Sequence, residues 1–234
     1  MINANTKPDD GSLSSFRGIR RLAVYGGSFD PLHNGHFAIA KGLVRQFRFD
    51  KFVFVPAFQA PHKTQRKATS AFHRFAMLAL ATAGHRELSI SPLELEMPER
   101  PYSVETHGRL LQVLPSSAIF FVMGADSWRD IRTWREWERV LTMTNHIVVT
   151  RPGYPVTTDH VTDAIRDRTV DLRRGGIFAD EATDDGTKIY FSDAVHSDAS
   201  ASRIRTLIAE RSREWRLDVP EAVANYIEKY ELYK

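Results

Sequence analysis

Apolar residues along the chain gather into short continuous runs, separated by longer stretches in which they recur every three or four positions. Residues 22–25, 51–56, 88–90, 118–123, 146–150 and 189–191 are the runs, and each predicts a short buried strand. The most continuous is Ala118-Ile-Phe-Phe-Val-Met123, and Pro56 stops the second. The three-to-four spacing predicts helices over residues 36–47, 68–83, 103–114, a Trp-rich stretch reaching about 141, 161–168, 200–209 and 220–230. Proline at 220 suits a helix start. Strand and helix alternate, so the expected fold is α/β, an open, mostly parallel sheet with helices on both faces. Sheets of this kind bind ligands in the crevice beyond the carboxyl ends of their strands.

Residues 1–20 are rich in Ser, Asp, Asn and Gly and read as a flexible tail, leaving 21–234 as a single domain that includes the C-terminal helices. Residues 151–188 are poorer in apolar side chains, and an Asp/Gly-rich stretch near 180–186 reads as a mobile loop. The net charge of +3 suits a protein that handles anions but is too small and too dispersed to argue for nucleic acid. The chain has no cysteine, which excludes disulfides and thiolate zinc sites. No apolar stretch is long enough to span a bilayer and the first residues lack a signal-type apolar segment, so the expectation is a cytoplasmic protein with no membrane partner.

The first predicted strand runs into Gly26-Gly-Ser-Phe-Asp-Pro-Leu-His-Asn-Gly-His36. Gly26 and Gly27 allow a sharp turn and a close approach of backbone to a ligand. The helix that follows presents free N–H groups and a positive dipole end, an anion site. His33 and His36, three apart, share a helix face and can both donate to a phosphate, while Gly35 leaves room for a nucleotide. The plainer alternative is a glycine turn beside two unrelated surface histidines. Neither a Walker A nor a Gly-x-Gly-x-x-Gly pattern is present.

The loop resembles the HxGH nucleotidyltransferase superfamily, whose pattern Gly-x-Phe-Asp-Pro-x-His-x-Gly-His is met by Gly27, Phe29, Asp30, Pro31, His33, Gly35 and His36. Later segments are similar to bacterial nicotinate mononucleotide adenylyltransferases. They are Pro61-His62-Lys63, then Pro101-Tyr-Ser-Val-Glu-Thr106, Gly124-Ala-Asp126 with Trp134, Arg151-Pro-Gly153 and Ser200-Ala-Ser-Arg-Ile-Arg205. Pro101, Ser103, Ala201 and Ser202 depart from the pattern of that family. The likeness spans roughly residues 22–230.

The resemblance implies a Rossmann-like fold, with ATP and nicotinate mononucleotide as substrates. It implies catalytic roles for His33, His36, Lys63 and Arg205, with Lys63 and His62 reaching over the triphosphate as a lid. ATP would be held by Gly26, Gly27, Ser28, Phe29, Gly35, Gly124, Asp126, Arg151, Ser200 and Ser202. The nicotinate half would lie against Tyr102, Ser103, Val104 and Thr106, with Trp134 stacked on its ring. Asp126 has two readings, a partner of ribose hydroxyls or the metal-bound site, and a cap of the next helix. Trp128 and Trp137 read as packing residues.

Ser200 is placed to cap the closing helix, yet a capping box would want Glu or Gln where Arg203 stands. Cations near a helix N-terminus are unfavourable unless an anion is present, so Arg205 reads as a phosphate contact. Arg203 is open to the plainer reading of a solvated arginine. A metal would be Mg²⁺ carried by substrate phosphates and water rather than by protein ligands. Phosphopantetheine adenylyltransferases share the first loop, but they are shorter, and the Pro-His-Lys and Trp134 segments argue against them. Nicotinamide mononucleotide is a rival acceptor, and an idle nucleotide-binding module is a rival class that intact His33 and His36 speak against. The motifs imply no nucleic-acid partner and no particular oligomeric state.

Overall fold

The computed structural model describes residues 11–58, 68–97, 101–150, 156–178, 186–193 and 199–234. Seven strands form one parallel sheet: β1 (Arg21–Gly27), β2 (Lys51–Pro56), β3 (Leu88–Ile90), β4 (Ala118–Gly124), β5 (Asn145–Val149), β6 (Thr169–Asp171) and β7 (Ile189–Ser192). Their order across the sheet is β3-β2-β1-β4-β5-β7-β6. The chain steps outward from β1 to β3, then returns to place β4 on the other side of β1. The strand order therefore reverses between β1 and β4, and the crevice that such a reversal opens lies at their carboxyl ends.

Side-chain alternation gives the sheet two cores. Ala23, Tyr25, Phe52, Phe54, Phe120, Val122, Ile147 and Val149 face one side. There they meet α1 (Asn34–Phe47), α2 (Ala71–Thr82), α7 (Ala201–Ala209) and α8 (Glu221–Lys229). Leu22, Val24, Val53, Val55, Ile119, Phe121, Met123 and Val148 face the other. That side holds α3 (Ser103–Val113), α4 (Ala125–Arg129), α5 (Trp137–Met143) and α6 (Asp163–Arg166). Period-two strands buried on both faces are what an α/β layer arrangement requires.

Three expectations are corrected. Residues 11–20 are not part of a flexible tail: Gly11–Phe16 forms a 3₁₀ turn whose Leu13 and Phe16 are buried in the second core. Leu13, Phe16 and Ile19 are the apolar residues that the polar composition of that segment concealed. Residues 1–10 lie outside the described residues.

The Trp-rich segment is not one helix. After α4 it passes through a 3₁₀ turn (Ile131–Thr133), turns extended at Trp134, and enters α5 through Glu136 in the left-handed region at φ 51°. The break carries Arg135 to α3, where its guanidinium lies 5.0 Å over the Tyr102 ring and 3.8 Å from Glu105. The predicted helix at 161–168 is only the single turn α6. Its last residues lead into β6, a three-residue edge strand that periodicity cannot reveal at that length.

Candidate active site

β1 ends against a loop built from aromatic packing. A Cβ on Gly26 would meet Cζ of Phe121 at 2.9 Å, and one on Gly27 would meet Cζ of Phe29 at 2.9 Å. These glycines therefore make room for rings of the protein itself. Phe29, at φ 47°, turns inward and is buried against Tyr25, Phe54 and His36, ring centroids 5.3, 5.5 and 5.0 Å away. Its side chain supports His36 from below, so any nucleotide contact at Phe29 is through its backbone.

His33 precedes α1 in extended conformation, and Gly35 is buried in the first turn. The two imidazoles lie face to face, centroids 3.7 Å apart and planes tilted by 30°. The His33 backbone N–H donates to Nδ1 of His36 at 3.3 Å, in the position a capping-box Glu occupies. With Nδ1 accepting, the neutral ring carries its proton on Nε2.

Several residues that sequence reading passed over hold this loop. Arg74, nearly fully buried on α2, donates to the carbonyls of Ser28 (2.6 Å), Ala57 (2.7 Å), Phe58 (3.1 Å) and Thr69 (3.0 Å). It thereby ties the β1 exit to the β2 exit, and burial pulls its pKa below the usual arginine value. Its signal was available, since Ala71, Arg74, Met77 and Leu78 mark the buried stripe of α2. Asp30 accepts from the Tyr233 hydroxyl at 2.8 Å and from the Thr69 N–H at 3.5 Å.

The closing helix α7 faces the same loop. Arg205 donates to the Asp30 carbonyl at 2.5 Å and to Ser202 Oγ at 3.1 Å, while its Nε is buried with no partner among the described residues. A buried donor of that kind is left for a water or an anion to satisfy. Arg203 turns away to Asp218 (2.5 Å) and Glu214 (3.9 Å), which accounts for it without a ligand. Ser200 is the N-cap residue of α7 but its side chain makes no cap bond.

On the other side of the crevice, α3 begins after Tyr102, whose N–H donates to Glu105 at 2.8 Å. Ser103 and Val104 supply the first-turn N–H groups, which have no acceptor within the helix. The Val104 side chain is buried, and Ser103 O accepts from His107 at 2.7 Å. Thr106 is also buried: its hydroxyl donates to Glu94 at 3.2 Å, so it organises this turn from behind. Burial pushes the Glu94 carboxyl up to about 7 against the opposing hydrogen bonds from Thr106 and the Phe58 N–H and the charge of Arg74. Trp134 is half-buried, edge-on to Phe121 at 6.4 Å.

Gly124 precedes α4 with open space where a Cβ would be, and the exposed Asp126 sits in the first turn. Lys63, His62 and Arg151 lie outside the described residues. Among the described residues no three His, Asp or Glu side chains group as a metal site, and no helix is long and apolar enough to cross a membrane. Hydrogen-bond donors thus gather in two places, the His33/His36/Arg205 side and the α3 N-terminus, and the chain of bonds Thr106–Glu94–Phe58–Arg74–Ser28 links them.

Residues 24–207 match the family model described as cytidylyltransferase-like. A protein of Mycolicibacterium vanbaalenii named "Probable nicotinate-nucleotide adenylyltransferase" is 33% identical over 92% of this chain and 92% of its own length. One of the same name from Desulfatibacillum aliphaticivorans is 34% identical over 91% of this chain and 99% of its own. The structure also superposes on the Plasmodium falciparum nicotinic acid mononucleotide adenylyltransferase complexed with NaAD. The TM-score is 0.68 at 17% identity, over 92% of this chain and 97% of the other, a likeness of fold.

Proposed function

We propose, for a chain that belongs to the cytidylyltransferase-like family and within it to the nicotinate-nucleotide adenylyltransferases, that it transfers the AMP part of ATP to nicotinate mononucleotide in NAD synthesis. The products are nicotinate adenine dinucleotide and pyrophosphate. A phosphate oxygen of the acceptor attacks the α-phosphorus, the new P–O bond forms in line, and the bond from the α-phosphorus to the bridging oxygen of pyrophosphate breaks.

The attacking phosphate is already an anion at neutral pH, so no general base is needed and no covalent enzyme intermediate forms. The protein's work is to align two polyanions and to stabilise the charge that develops between them. His36, with its proton on Nε2, and His33 donate to the transferring phosphate. Arg205 reads the outer phosphates, joined in this account by Lys63 and Arg151. Mg²⁺ fits as a passenger on the triphosphate, where it would neutralise charge on the departing pyrophosphate. A cytoplasmic setting, where ATP is plentiful, suits the reaction.

The observation that carries this reading is the stacked His33/His36 pair in the loop after β1, at the β1–β4 strand reversal. The first-turn N–H groups of Ser103 and Val104, with the dipole of α3, favour the carboxylate of nicotinate over the amide of nicotinamide. Trp134 would stack on either ring. Two charge-assisted bonds at about 1.5–3 kcal/mol each allow a preference of roughly two orders of magnitude or more. The test is to incubate the protein with ATP and Mg²⁺ and, in turn, nicotinate mononucleotide, nicotinamide mononucleotide and phosphopantetheine, and to separate the products by chromatography. Nicotinate adenine dinucleotide should form fastest. Comparable efficiency on the amide would reject the acceptor pocket, and product only from phosphopantetheine would reject the assignment.

A further inference from the structure

The chain beyond α8 turns back toward the first loop by a defined cap. Glu231 takes the left-handed conformation at φ 51°, its N–H donates to Glu228 O at 3.2 Å, and the Leu232 N–H donates to Ile227 O at 3.1 Å. That is a Schellman arrangement, built on Glu where glycine is the usual residue. Tyr233 follows, itself at φ 69°, a region costly for a residue with a side chain unless its surroundings hold it there. Leu232 and Tyr233 pack against the first core, and the Tyr233 hydroxyl ends 2.8 Å from Asp30 Oδ1.

Asp30 is three residues from His33, and its carbonyl accepts from Arg205 at 2.5 Å. One residue thus receives Tyr233 on its carboxylate and Arg205 on its backbone. Burial and the neighbouring Asp30 charge raise the phenol's pKa, so it stays protonated and remains a donor. Tyr233 lies outside the 24–207 family match, and nothing in the strand-and-helix periodicity marks it.

We infer that Tyr233 is a positioning residue for adenylyl transfer: its hydroxyl fixes Asp30, and through Asp30 holds the His33/His36 loop and Arg205 in one register. The inference rests on the function proposed above. It touches no reacting atom, so its effect is on alignment, where small displacements cost rate steeply.

The test uses the full chain as Tyr233→Phe, Asp30→Asn and the double variant, with kcat, KM for both substrates and melting temperature measured for each. Tyr233→Phe keeps the ring and its packing. Its kcat should fall about tenfold, with KM for nicotinate mononucleotide and melting temperature little changed. If the two residues act through one bond, the double variant should be no slower than the slower single variant. Turnover of Tyr233→Phe within about twofold of the parent overturns the inference, as does a double defect equal to the product of the singles. A collapse of melting temperature in Tyr233→Phe also overturns it, by making the bond structural. Amide exchange across residues 26–36 reads the same bond without turnover. It should quicken about tenfold in Tyr233→Phe, and unchanged exchange overturns the inference even if the parent proves to prefer another acceptor.

Discussion

Arg74 donates to the Ser28 carbonyl at 2.6 Å, reaching from α2 into the loop that carries His33 and His36. The same guanidinium also holds Ala57 and Phe58, so the roots of two crevice loops share one buried cation. Lysine cannot span that set, because its three donors sit on one nitrogen. Arg74→Lys should therefore leave at least one buried carbonyl without its donor, at about 1–3 kcal/mol each. The expected melting temperature is lower by roughly 3–10 °C for a domain of this size, with turnover reduced as well. An unchanged melting curve would contradict the role given to Arg74.

Leu13 should behave as a core residue. It is 1% exposed beneath the second core, so Leu13→Ala should cost about 2–4 kcal/mol, seen as an earlier urea midpoint with unchanged slope. Deleting residues 1–10 instead should leave the midpoint where it is.

Arg205→Ala should raise KM for ATP, while binding of AMP, which lacks the outer phosphates, should weaken much less. Titration of both nucleotides checks this. Equal losses would mean that Arg205 does not read the β- and γ-phosphates.

The fold was legible where periodicity is long. Residues 51–56 were predicted as the strand they are, because Phe52-Val-Phe-Val55 is a continuous apolar run stopped by Pro56, and Leu88-Ser-Ile90 was predicted on a weaker apolar alternation. The crevice was legible too, since motif residues follow β1, β4 and α7's start. What was hidden is the support. Phe29 reads as an ATP contact and its ring is core, Thr106 reads as an acceptor-side contact and its side chain is buried, Arg74 shows only as one position of the buried α2 stripe, and Tyr233 acts through a tertiary hydrogen bond with no local pattern. The break at Trp134–Glu136 was invisible because the apolar spacing continues across it.

His107 and His146 stack in the second core with centroids 5.3 Å apart, both fully buried. Desolvation lowers His107 to about 4, and lowers His146 well below its ordinary value of 6.5, with the His107 and Arg168 charges adding to it. Between pH 6.5 and about 4 the unfolded chain takes up protons that the folded chain refuses, so this pair makes stability fall as pH falls. The His107 contribution is on the order of 3 kcal/mol. Glu94 works in the opposite sense, its raised carboxyl favouring the folded state as pH drops below about 7. Glu94 thus offsets about what His107 contributes, so the net decline of melting temperature toward pH 4 rests on His146, and His107→Leu should flatten it. An identical slope in parent and variant would remove His107 from the account.

His36 bears the central claim, that the loop stabilises the transferring phosphate chiefly in the transition state. The measurement is kcat for nicotinate mononucleotide alongside ATP affinity in parent and His36→Ala. Losing one preorganised donor should lower kcat by roughly a hundredfold or more, while ATP binding changes only a few-fold. Near-normal turnover in His36→Ala, or a loss confined to ATP affinity, would contradict the account.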